Sequence, residues 1–115
     1  ADVIVSARKP KDLSWINILG YKSILTSDIC NENEYDIIFN TIPSIVFDAH
    51  TLAKSAQKAI VIDLASYPGG VDLNAAKRLK INVISALSLP GKVAPKAAGE
   101  IIKNTIYNMI EEGYL

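Results

Sequence analysis

The chain has 115 residues, half of them apolar and 21% charged, which is enough for one small globular domain with its own core. Twelve basic residues balance twelve acidic ones, so composition gives no support to a nucleic-acid or anionic-membrane partner. The single cysteine, Cys30, excludes an internal disulfide and fits a reducing compartment; no uncharged run is long enough to span a bilayer, and no signal-peptide pattern opens the chain.

The chain opens at Ala1 directly on an apolar, strand-like run, so a fragment or a processed chain is expected. Short runs rich in Ile and Val predict strands at Val3–Val5, Ser23–Leu25, Asp36–Phe39, Ala59–Asp63 and Asn82–Ser85. They are mostly unalternated, as expected of strands buried on both faces. Helices are predicted between them. Asp12–Leu19 turns Leu13, Ile16 and Leu19 inward, and Gly20 stops it. Ser27–Asn33 is a loop or one helical turn. Asp48–Lys58, capped by Asp48, buries Leu52, Ala53 and Ala56; Asp72–Leu79, capped by Asp72, buries Leu73, Ala76 and Leu79. From Ala97 to Ile110, an apolar stripe through Ala98, Ile101, Ile102, Thr105, Ile106, Met109 and Ile110 predicts the last helix. Strands alternating with helices at this spacing argue an α/β fold with a mostly parallel sheet of about five strands covered on both faces.

Ligands of such sheets bind at the carboxyl ends of the strands, near the point where strand order reverses. Four strand ends carry suitable residues. Ser6, Arg8 and Lys9 follow the first strand with no acid among them; Ser6 can donate to a ribose, and the planar fork of Arg8 suits a 2′-phosphate, which favours NADP over NAD. An ordinary solvated basic turn before Pro10 is the competing reading. Asn40, Thr41 and Pro43 end the third strand, small polar groups able to bond a ribose or pass close to a nicotinamide, or else to satisfy their own backbone. Asp63, Ala65 and Ser66 end the fourth ahead of Gly69-Gly70, with Asp63 equally suited to be a buried structural acceptor. After the fifth, Pro90, Gly91 and Val93 form a turn into a helix whose first turn contains Pro95, with Lys92 and Lys96 beside it to meet a carboxylated substrate. No metal constellation appears, no catalytic acid or base declares itself, and His50 reads as a surface residue.

Three strings taken together carry a resemblance. Asn40-Thr41-Ile42-Pro43, Ile62-Asp63-Leu64-Ala65-Ser66 with Pro68-Gly69-Gly70, and Leu89-Pro90-Gly91-Lys92-Val93-Ala94-Pro95-Lys96 leading into Ala98-Gly99-Glu100 resemble the C-terminal, NAD(P)-binding Rossmann domain of the dipicolinate synthase A-subunit family. The resemblance runs across essentially the whole chain, although Tyr67 and Ala97 stand where the family pattern has a basic residue and a threonine. It implies a cytoplasmic oxidoreductase subunit, in the mother cell of a spore-forming bacterium, that oxidises a dihydrodipicolinate-level precursor to pyridine-2,6-dicarboxylate. It further implies the flavoprotein-like B-subunit of dipicolinate synthase as partner, a small dicarboxylate substrate and NADP as cofactor, with NAD less favoured. A homo-oligomer is compatible with it.

One element of the family pattern is absent. No G-x-G-x-x-G occurs in the sequence, so residues 1–115 are expected to be a partial Rossmann-like three-layer domain, lacking the first strand and Gly-rich loop. Removing strand 1 from the order 3-2-1-4-5-6 leaves three outcomes. The remaining strands close up in the flavodoxin-like order 2-1-3-4-5, the gap is filled by another chain, or the unseen segment is disordered. A non-catalytic α/β assembly or binding module is the alternative function.

Overall fold

The computed structural model describes residues 1–31, 34–87 and 95–112, the last segment's side chains in part. All five strands form where the apolar runs place them: β1 Ile4–Ala7, β2 Lys22–Leu25, β3 Ile37–Asn40, β4 Ile60–Asp63 and β5 Asn82–Ser85. Every pairing is parallel, as strands separated by helical crossovers require. In register, Ile38 lies beside Val61 and Val61 beside Val83. These three pack with Leu52, Ala56, Ala75 and Ala76 into the main core. β4, the strand between two neighbours, is buried at all four residues.

The helices are α1 Pro10–Ile18, α2 Ala49–Ser55, α3 Leu73–Arg78 and α4 Pro95–Glu111, with a 3-10 helix over Thr26–Asn31. Pro10 sits in the first turn of α1, where its missing N–H costs nothing, so that helix starts two residues before the predicted Asp12. It ends at Gly20 as expected: with φ +90, Gly20 lets its own N–H reach Asn17 O and that of Tyr21 reach Ile16 O. The Asp48 and Asp72 carboxylates cap α2 and α3, accepting from Thr51 N at 2.9 Å and Ala75 N at 3.0 Å. Two inward assignments are corrected. Leu73 is exposed and Ala75 takes the core position, because the N1 residue of so short a helix points off its end. Leu19 is exposed with Trp15 and Ile18, and α1 has no fully buried residue.

The sheet is divided. Among the described residues β1 pairs only with β2, and β3 pairs with β4 and β4 with β5. No Cα of β1 comes within 8 Å of β3, whereas hydrogen-bonded neighbours lie about 4.8 Å apart. The closed order 2-1-3-4-5 therefore does not form. The two sheets share a core instead: Ile24 of β2 packs against the main cluster, and Ile29 of the 3-10 helix is buried in it. β1 (Ile-Val-Ser-Ala) and the exposed side of β3 (Ile-Ile-Phe-Asn) carry no charge or proline to protect an edge. Phe39 on β3 is 48% exposed.

Candidate functional site at the strand ends

The ends of β3 and β4 are joined by register and by side chains. Asn40 lies beside Asp63, and both are buried. The Asn40 amide donates to Asp63 Oδ1 at 2.9 Å and to Ile42 O at 3.0 Å, so both its hydrogens are engaged. Its Oδ1 accepts from Ile42 N at 3.3 Å. The Asp63 carboxylate also accepts from Ala65 N at 3.3 Å and from Gly70 N at 3.0 Å. Among the described residues no buried side-chain polar atom lacks a partner.

This closes the loops after β3 and β4 onto one another. Gly70 O accepts from Val46 N at 3.1 Å and Phe47 N at 3.0 Å, and Asp72 N donates to Phe47 O at 3.0 Å. The glycine pair is required here. A β-carbon on Gly70 would overlap Asn40 Nδ2 and Ile42 O, and one on Gly69 would lie 2.7 Å from Asp63 Oδ2 and 2.9 Å from Leu87 Cδ2, just beyond β5.

The site residues read from the sequence thus fall into separate groups. Asn40, Asp63 and Ala65 lie beneath the surface with their polar groups engaged, which makes them holding groups. Thr41, Pro43 and Ser66, close to them in sequence, are exposed. Ser6, Arg8 and Lys9 stand on the other sheet, at the end of β1. Ser6 Oγ accepts from Thr26 Oγ1 at 3.4 Å, leaving its own proton to donate. Arg8 and Lys9 are exposed, and the ion pairs among the described residues, Lys22–Asp2 and Lys58–Glu34, involve neither. Pro90, Gly91, Lys92 and Val93 lie outside the described residues, and Lys96 lies on α4 with its side chain outside them. His50 is exposed, as expected. What the sequence did not reveal is the Asn40–Asp63 pairing itself; the tandem glycines were the signal that something approaches the backbone there.

The residues fit part of a dinucleotide. A serine donor and two cations that join no ion pair among the described residues could hold a phosphorylated ribose, and exposed Thr41 and Ser66 could meet the opposite end. A Gly-rich pyrophosphate loop is not in the sequence.

No protein-family model matches the chain. The dipicolinate synthase A-subunit of Bacillus subtilis (strain 168) is 36% identical over 113 residues, 97% of this chain. The crystal structure of its counterpart from Bacillus halodurans superposes with a TM-score of 0.74 at 37% identity over 95% of the chain, and the Bacillus subtilis structure with 0.73 at 36% over 97%. The chain is related, over nearly its whole length, to the C-terminal part of the dipicolinate synthase A-subunit. It spans 38% of the length of these relatives. Its Rossmann-like α/β arrangement of parallel strands is the one these relatives share with it. No helix among the described residues is long and apolar enough to cross a membrane.

Proposed function

We propose that residues 1–115 are the dinucleotide-binding portion of an oxidoreductase subunit of dipicolinate synthesis, one part of a longer protein. The carrying observation is the 36% identity over 97% of the chain to the dipicolinate synthase A-subunit. In this reading a dihydrodipicolinate-level precursor gives up a hydride and a proton and leaves as aromatic pyridine-2,6-dicarboxylate. The nicotinamide supplies the hydride acceptor, and the protein supplies position and charge. Arg8, with Ser6 and Lys9, holds the 2′-phosphate of NADP in preference to NAD. Thr41, Pro43 and Ser66 line the nicotinamide end, and Pro90, Gly91 and Val93 are assigned to the cofactor from the sequence. Lys92 and Lys96 are assigned to the substrate carboxylates by their charge. A flavoprotein-like second subunit is the partner and the mother-cell cytoplasm the location, both by resemblance.

The assay is formation of pyridine-2,6-dicarboxylate by the complete protein with NADP or NAD, followed with Arg8→Ala and Lys92→Ala. Loss of NADP preference in the first and a raised substrate KM in the second support the reading. Unchanged turnover and cofactor affinity in both refute it. They would favour the alternative of an assembly module, for which Trp15 and Ile18 on α1 and Leu19 just after it, all more than two-thirds exposed, provide an apolar ridge.

A further inference from the structure

We infer that the Asn40–Asp63 pair is a positioning element that makes the loops after β3 and β4 a single unit, presenting Thr41, Pro43 and Ser66 to the ligand as one preformed edge. The inference rests on the dinucleotide reading above for the ligand, and on the geometry alone for the unit.

Asn40 is 3% and Asp63 2% exposed, so neither side chain reaches a ligand without breaking bonds it already makes. Those bonds run to both loops. Asn40 holds Ile42 by its N–H and its carbonyl, at 3.3 and 3.0 Å. Asp63 holds Ala65 and Gly70, the two ends of the turn that carries Ser66, at 3.3 and 3.0 Å. The 2.9 Å bond between the two side chains couples the halves. Leu87, two residues beyond β5, lies close enough to Gly69 to leave no room for a β-carbon there. Buried Asn40 is followed in sequence by exposed Thr41, and buried Ala65 by exposed Ser66. Freezing two exposed loops costs conformational entropy at the moment of binding unless they are already frozen, and this pair freezes them beforehand.

Asp63→Asn tests the inference. The side chain keeps its shape, but one acceptor becomes a donor facing Asn40 Nδ2 and Ala65 N–H or facing Gly70 N–H. In the 115-residue chain, amide exchange at Ile42, Ala65 and Gly70 accelerates by a common factor. In the holoenzyme, measured well below its unfolding temperature, the NADPH dissociation constant rises about tenfold or more, and the loss falls on KM for the dinucleotide more than on kcat. Reversing the pair, Asn40→Asp with Asp63→Asn, recovers part of the affinity. If Asp63→Asn does not fold, Asn40→Ser carries the same readouts, because it removes the coupling bond and leaves the Ala65 and Gly70 bonds in place. NADPH binding within about twofold of wild type, alongside accelerated exchange, overturns the inference and leaves a purely structural network. If the wild-type holoenzyme binds no NADPH, the functional reading fails. The exchange data then decide alone: a common factor across both loops upholds the unit, and acceleration confined to Gly70 overturns it.

Discussion

Gly70→Ala is the sharpest perturbation of the strand-end site. The φ of Gly70 is not in the left-handed region, so an alanine there carries no backbone strain. Its β-carbon would overlap Asn40 Nδ2 and Ile42 O and lie 3.0 Å from Asn40 Cγ. None of these atoms is the free end of a flexible side chain. Overpacking of this kind costs about 1–3 kcal/mol. The other relief is to swing Asn40 away, which gives up its bond to the Asp63 carboxylate; bonds to charged groups contribute about 1.5–3 kcal/mol. Both routes lead to a loss of about 1–3 kcal/mol, or roughly 4–12 °C in Tm for a domain of this size. Urea unfolding with an unchanged m value measures it. Gly20→Ala is the matched control: φ there is +90 and nothing lies within 4 Å, so only backbone strain acts. That strain costs about 1–2 kcal/mol and leaves exchange at Ile42 untouched. If Gly70→Ala loses less than about 0.5 kcal/mol, the argument for a closely packed junction is refuted.

Further outcomes follow from single elements. Leu52 is fully buried beneath α2, and Leu52→Ala lowers the urea-derived stability by about 2–5 kcal/mol. Lys80 holds φ 56 after α3 so that its N–H reaches Lys77 O and that of Ile81 reaches Ala76 O; Lys80→Gly removes the strain and raises stability by about 1 kcal/mol in the same assay. The Asp48 carboxyl is held below its ordinary 3.8 by the backbone N–H of Thr51, with His50 adding a smaller pull. A lowered folded value means its contribution is complete above the unfolded value and lost as pH falls through the folded one. The Thr51 amide therefore loses protection on acidification below 3.8, and Asp48→Asn, which caps without titrating, abolishes that dependence. On β3, Asp36 O and Asn40 O accept from β4, so Ile37 and Phe39 turn their amides to the open edge; these exchange faster than those of Val61 and Ile62.

The elements were legible because their signals are local. Unalternated Ile and Val marked the strands, Asp48 and Asp72 marked two helix starts, and Gly20 marked a stop. What the sequence concealed depends on distance across the chain. Nothing local says that Asn40 and Asp63, twenty-three residues apart, share a register position and therefore meet each other before they can meet a ligand. Leu73 and Leu19 kept the helical period but fall at helix ends, where the period no longer decides burial. The closed strand order was one outcome the missing Gly-rich strand left open, and it does not form. The structure shows what joins the two parts without it: partly buried Ile24 and buried Ile29, both packed into the main cluster.

The division also bears on how a dinucleotide would bind. β1 and β2 form one sheet and β3 to β5 another, and in the strand order 3-2-1-4-5-6 the reversal at which a dinucleotide would lie falls between those two groups. Ser6 and Arg8 stand on one side of that break, Thr41 and Ser66 on the other, with no Cα of β1 within 8 Å of β3. A ligand held only at β1 gains nothing from its nicotinamide half. The isolated chain should therefore bind NADPH and the fragment 2′,5′-ADP with dissociation constants within about threefold of each other, both weak and both abolished by Arg8→Ala. In the complete protein, the same comparison should favour NADPH by well over about tenfold, because both ends are then engaged across a filled gap. Calorimetric titration of both ligands against the 115-residue chain decides this. Tight NADPH binding that 2′,5′-ADP does not match would show that the break is already bridged, and the argument from strand order would fall.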